Sequence, residues 1–172
     1  YIDKPAKPYS WHIHIVFDLK NRAESDALKV KFANFLGADL SDEKYICRSL
    51  IFLKNQPLCF FETDYNPDQY SPWMNPEWAI LFMPEDFERI VTFGLQNRDN
   101  LDIVIHPNTG CSLEDHSWWV IYGGNKRQLD LSIFSPGEAP IYRDLSVVST
   151  QEALESNEVS DRLKDFLKRH DH

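Results

Sequence analysis

The sequence predicts an α+β protein, an antiparallel sheet with helices packed on one face. Three observations carry this. WHIHIVFD, residues 11–18, alternates apolar and polar side chains with a period of two, as a half-buried strand does. Residues 22–36 and 84–95 change to a period near that of a helix. The apolar runs then fall in the order strand, helix, strand, strand, and that order repeats. Two such halves suggest a ferredoxin-like sandwich.

The elements follow in chain order. Residues 1–10 hold Pro5 and Pro8 and form an irregular lead-in. In the first strand Trp11, Ile13, Ile15 and Phe17 face one way, apolar enough to lie under helices. His12, His14, Val16 and Asp18 face the other. Leu28, Phe32, Phe35 and Leu36 give the first helix its apolar stripe, and Gly37 is a suitable C-cap. Residues 46–53 and 58–63 predict a pair of strands around a KNQP turn. DYNPDQYSPWMNP, residues 64–76, is rich in Pro, Asn and Asp and predicts a loop that could overhang a pocket.

EWAILFM, residues 77–83, predicts another strand. Pro84, Glu85 and Asp86 suit the first turn of the second helix, whose stripe is Phe87, Ile90, Val91, Gly94 and Leu95. Residues 101–105 predict a strand leading into His106. Residues 117–122 predict the next, closed by Gly123-Gly124, and 128–134 a last one. Val159, Leu163, Phe166 and Leu167 predict an extra C-terminal helix. The expectation is a single domain over 1–172, with a core at 9–134 and a C-terminal extension at 135–172.

Composition narrows the function. A hydrophobic content of 42% with 13% aromatics fits a soluble globular protein with a sizeable core. No apolar run approaches the ~18 residues of a membrane span. The N-terminus shows no basic start followed by an apolar stretch, so no secretory leader is expected. A net charge of −9 disfavours nucleic acid and anionic membranes as partners. Cys47, Cys59 and Cys111 form no CxxC pair, so neither a disulfide framework nor a zinc ribbon is expected. A reducing, cytoplasmic setting is the simplest expectation.

The histidines carry the chemistry. His170 and His172 belong to the polar tail. His12 and His14 stand two apart on a strand, so both side chains project from one face and can converge on one metal. The plainer reading is two half-exposed polar residues. His106 ends an apolar strand, where sites gather, and Asn108-Thr109-Gly110 after it favours a tight turn. His106 could equally just cap that strand. Asp115 precedes His116 and could orient it, or the two could be a polar loop pair. Glu114 or Asp115 could complete a two-histidine-one-carboxylate set for non-haem iron.

HPNTG (106–110), LEDH (113–116) and the opening WHIHIVFD resemble the signature of the DOPA 4,5-dioxygenase family, of fungal and bacterial type. FMPEDFERIVTFGLQNRDNLDIVIH, residues 82–106, is similar to that family's central helix, Asn-Arg turn and following strand. The likeness spans roughly residues 9–134. It implies a ferredoxin-like fold, a homodimer, and metal-dependent extradiol cleavage of a catechol ring. Two positions depart from the family pattern. Its Gly-Pro-His histidine falls at Trp73, and its histidine three after the Asp-His pair falls at Trp119. An indole offers only an N–H donor and cannot bind a metal.

Three readings follow. In the first, histidines drawn from His12, His14, His106 and His116 hold Fe(II) together with a carboxylate, and a remaining one of His14, His106 and His116 moves protons. Trp73, Trp119, Asn108 and His12 face an aromatic or polyketide-like small molecule. Trp118 and Trp119, as strand neighbours, point opposite ways, so only one faces the pocket. In the second, the metal is lost. The tryptophans then make an aromatic cleft for a cofactor-free cyclase or isomerase of secondary metabolism, pericyclic chemistry included. The third is a ligand-binding protein without catalysis.

Overall fold

The computed structural model describes residues 7–47, 58–63, 72–134 and 155. At the centre of a five-stranded sheet runs β1 (Ser10–Val16). It is paired on one side with β3 (Glu77–Phe82) and on the other with β4 (Asp102–Asn108). β2 (Leu58–Thr63) lies outside β3 and β5 (Ile121–Gly123) outside β4, and every neighbouring pair is antiparallel. With α1 (Arg22–Leu36) and α2 (Phe87–Asn97), the first four strands make the βαββαβ order of a ferredoxin-like sandwich, extended at one edge by β5.

Strand periodicity sends Ile13 and Ile15 to the same face as Trp78, Ile80 and Phe82 of β3 and Ile103 and Ile105 of β4. Leu28 and Phe32 of α1 and Ile90 and Val91 of α2 join them in one buried core. Gly94 lets α2 come close to the sheet, because a Cβ there would sit 2.9 Å from Ile13 Cδ1. Trp78 is core too, and its indole N–H donates to buried Ser25 Oγ at 2.8 Å, which removes the cost of hiding both groups. Trp11 packs on Phe87 with ring centroids 4.5 Å apart. Gly37 ends α1 in the left-handed region at φ 66°, as its sequence position predicts, and the Ala38 N–H reaches back to the Ala33 carbonyl at 2.9 Å.

Several elements differ from expectation. Residues 117–119 are not strand. They continue a short helix, α3 (Ser112–Asp115), with the Trp118 and Trp119 N–H groups both donating to the Glu114 carbonyl at 3.0 Å, so only Ile121–Gly123 pairs with β4. Residues 128–134 are not strand either. Leu129 makes one antiparallel bridge to Trp73, and the chain then turns tightly at Leu131–Ile133. The Asp130 carboxylate accepts from the Ser132 N–H at 3.0 Å and from its hydroxyl at 2.6 Å, a local competitor to strand pairing. β4 runs through His106 to Asn108 instead of stopping at 105. Pro107 is tolerated there because β5 pairs only with residues 103–105. Residues 48–57 of the expected strand pair and its turn, 64–71 of the expected loop, and the Val159, Leu163, Phe166 and Leu167 stripe of the expected C-terminal helix lie outside the described residues.

One cysteine expectation is overturned. Cys47 and Cys59 form a disulfide, with Cα atoms 4.9 Å apart, while Cys111 is buried and takes no part in that bridge. Spacing could not reveal it, because the partners meet only when the chain after α1 returns to β2. There Ile46 forms a parallel bridge with Phe60, and the Cys47 N–H donates to the Phe60 carbonyl at 3.0 Å. The expectation of a reducing compartment rested on unpaired cysteines and loses that ground, since disulfides persist mainly in oxidising settings. Among the described residues, no helix is long and apolar enough to cross a membrane.

Breaking the Cys47–Cys59 bond, by reduction or by the Cys47→Ala/Cys59→Ala pair, should lower unfolding free energy by about 2–3 kcal/mol. Urea unfolding with and without reductant measures it, and coincident curves would contradict the prediction.

Candidate metal centre

The sheet face away from α1 and α2 carries the histidines. Antiparallel register sets His12 of β1 directly opposite His106 of β4, with His14 two residues further along β1. The three are nearly sealed from solvent at 4%, 6% and 1% exposure, and their ligating nitrogens all lie within 4.8 Å of one another. His106 and His14 stack with centroids 5.1 Å apart, and His12 meets both edge-on.

The hydrogen bonds around these rings determine their tautomers. His106 Nδ1 lies 2.9 Å from the Pro107 carbonyl oxygen, which can only accept, so Nδ1 carries the proton. His14 Nδ1 lies 2.9 Å from Glu77 Oε2 and donates to it for the same reason. His116 Nδ1 donates to the Ser112 carbonyl at 2.8 Å. Burial holds all four imidazoles neutral. His14 and His116 are lowered to about 3 chiefly by desolvation, and His12 and His106 are lowered well below the ordinary value, first by desolvation and then by their imidazole neighbours. A neutral imidazole has one proton. With Nδ1 protonated, Nε2 of His14, His106 and His116 is a bare lone pair.

Two of these lone pairs face each other, because His14 Nε2 and His106 Nε2 are 3.1 Å apart. His12 Nε2, beside them, is buried with no hydrogen-bond partner among the described residues. Lone pairs turned toward one another inside a protein repel, and an unpaired buried nitrogen is costly. A cation between them removes both penalties. Two nitrogens each about 2.1 Å from one ion, at about a right angle, lie about 3.0 Å apart, so the spacing suits adjacent ligands. The donor set fits a divalent transition metal that accepts imidazole.

The expected site residues divide into two groups. His12, His14 and His106 come together. His116 packs on His106 with ring centroids 4.0 Å apart and planes tilted by 40°, but it is not among the mutually convergent nitrogens, so the four-histidine set becomes three with a fourth alongside. Trp73 lies on His14 at 4.1 Å and Phe134 on His116 at 4.5 Å. Trp119 is half-buried in the turn after α3, and its ring meets no imidazole among the described residues. Asn108 is buried and its amide donates to Ser10 Oγ at 2.9 Å, tying β4 to β1 beyond the cluster.

The two candidate carboxylates are not ligands of this cluster. Asp115 accepts from the Thr109 N–H at 2.9 Å and the Thr109 hydroxyl at 2.8 Å, so it braces the turn that contains Gly110 at φ 94° and does not orient His116. Glu114 is also outside the convergent group. The acid that matters is Glu77, which the sequence reading treats only as the start of a strand. Its signal was weak, a single carboxylate entering a wholly apolar run. Two cavities, about 420 Å³ between α1 and α2 and about 200 Å³ beside Asp102 and Arg127, contain no histidine in their walls. Trp73, His116 and Phe134 instead cover the cluster.

Fold and site together define an α+β sandwich with imidazole lone pairs gathered on the buried sheet face opposite α1 and α2. The model of the Dopa 4,5-dioxygenase family matches residues 11–133, and the chain belongs to that family. A crystal structure of a protein described as a candidate dioxygenase from Nostoc punctiforme PCC 73102 is similar in fold, with a TM-score of 0.53 at 18% identity. The match covers 73% of this chain and 90% of that one. No curated protein matches the sequence.

Asp115→Ala should cost about 1–3 kcal/mol of stability, since it leaves the buried Thr109 N–H and hydroxyl without their acceptor. Glu114→Ala, which removes no such bond, should cost less than Asp115→Ala. Thermal unfolding of the two variants side by side checks the contrast, and equal losses would refute it.

Proposed function

We propose that this chain is a metal-dependent oxygenase acting on a catechol-type small molecule, with Fe(II) held by His12, His14 and His106. The supporting observation is the pair of unprotonated Nε2 atoms 3.1 Å apart, next to the orphaned Nε2 of His12. Family membership points to dioxygenase-like chemistry. Iron at this position would supply the site for oxygen and for the substrate's hydroxyl oxygens.

The protein's own groups do the rest. His14 and His106 keep their lone pairs aimed inward because Glu77 and the Pro107 carbonyl hold their outer N–H groups. His116, with its Nδ1–H engaged by Ser112, presents Nε2 as the acceptor for a substrate hydroxyl proton. Trp73 and Phe134 offer flat apolar faces that suit an aromatic ring. The Trp73–Leu129 bridge and the bond from the Asp130 N–H to the Pro72 carbonyl at 2.8 Å hold this cover in place, so substrate entry requires it to part. The substrate stays at the level of a catechol ring, and a homodimer is the assembly proposed with it.

The test is anaerobic titration with Fe(II), followed by oxygen uptake with a simple catechol and a search for a coloured ring-opened product. About one iron per chain is expected, with His106→Ala losing at least about 100-fold in affinity. Failure of the wild-type protein to bind any divalent transition metal would overturn the proposal.

A further inference from the structure

Resting on the metal reading above, we infer that Glu77 is a positioning residue for the metal, acting through His14 and not as a ligand. Glu77 is 4% exposed and sits at the first position of β3, opposite Val16. Its Oε2 lies 2.9 Å from His14 Nδ1, on the side of the ring away from the cluster. No Glu77 oxygen belongs to the convergent group, so the carboxylate cannot replace an imidazole there without moving.

The chain supplies its own internal comparison. His106 is oriented by a neutral acceptor, the Pro107 carbonyl, whereas His14 is oriented by a carboxylate. Both fix the same tautomer. Only the carboxylate also carries a negative charge, which draws the Nδ1 proton outward and makes Nε2 a stronger donor to a cation. Three neutral imidazoles bring no charge of their own to a divalent ion. A buried carboxylate one ring away offsets part of it where little water can. His14 is further held by the Trp73 ring, so its orientation is set from the edge by Glu77 and from the face by the indole.

Glu77→Gln keeps the shape but removes the charge. The amide can also turn its NH₂ toward Nδ1, forcing the His14 proton onto Nε2 and blocking the lone pair. Glu77→Ala removes the partner altogether.

The experiment is a Co(II) titration of wild type, Glu77→Gln and Glu77→Ala, read by visible absorption, with circular dichroism confirming the fold. Nitrogen-15 NMR of the metal-free proteins reports the His14 tautomer. Expected are a roughly 10-fold loss of affinity in Glu77→Gln and up to about 100-fold in Glu77→Ala. His14 should be Nδ1–H in wild type and shifted toward Nε2–H in Glu77→Gln, with the His106 tautomer unchanged. Wild-type affinity in both variants, or an unaltered His14 tautomer in Glu77→Gln, overturns the inference while leaving the metal reading intact. Absence of Co(II) binding in the wild type overturns the metal reading itself and this inference with it. Should Glu77→Ala fail to fold, Glu77→Gln decides the matter.

Discussion

The antiparallel pairing of β1 with β4 is the constraint on which the site depends. It sets His12 against His106 and brings two imidazoles together from positions 94 residues apart in the chain. A slip of one residue would send one partner into the helix-covered core and its neighbour out of it. The register is protected by the other face of the same strands. Ile13 and Ile15 meet Ile105 and Ile103 under α1 and α2, and exchanging them for histidine would bury polar rings among aliphatic ones. The apolar core therefore specifies the polar site on its reverse side.

The site carries an electrostatic tension that the fold maintains. Four imidazoles are gathered where burial prevents them from charging, and three are turned by outward acceptors so that their lone pairs remain unprotonated. Such an arrangement costs stability unless something positive completes it. Sites built for function commonly show this kind of local disagreement with the demands of folding. Glu77 belongs to the same logic, since a buried carboxylate is tolerated because His14 satisfies it.

The polar bonds around the cluster are divided between support and chemistry. Asn108 and Asp115 look like site residues by their neighbourhood in the chain, yet both are spent on holding the β4 turn and its join to β1. Trp73 and Phe134 arrive from segments that carry little secondary structure and lie directly on the imidazoles. At the far edge of the sheet, the Cys47–Cys59 bridge anchors the chain between α1 and β2, on the strand whose Phe61 packs edge-on against His12 at 5.6 Å.

Local patterns determined much of this protein. Alternation in WHIHIVFD placed both histidines on one face, helical stripes located α1 and α2, and the position of Gly37 marked the end of α1, because each depends on spacings of a few residues. The same spacing arguments gave the ferredoxin-like class and named His12, His14 and His106. They failed where a local hydrogen bond competed with strand pairing, at residues 117–119 and at Asp130. Tertiary structure alone decided that Glu77 rather than Asp115 orients a histidine, that His116 stands beside the convergent trio, that Trp73 and not Trp119 covers it, and that Cys47 meets Cys59. Each of those outcomes depends on which strand lies beside which and in what register, and no short stretch of sequence contains that information.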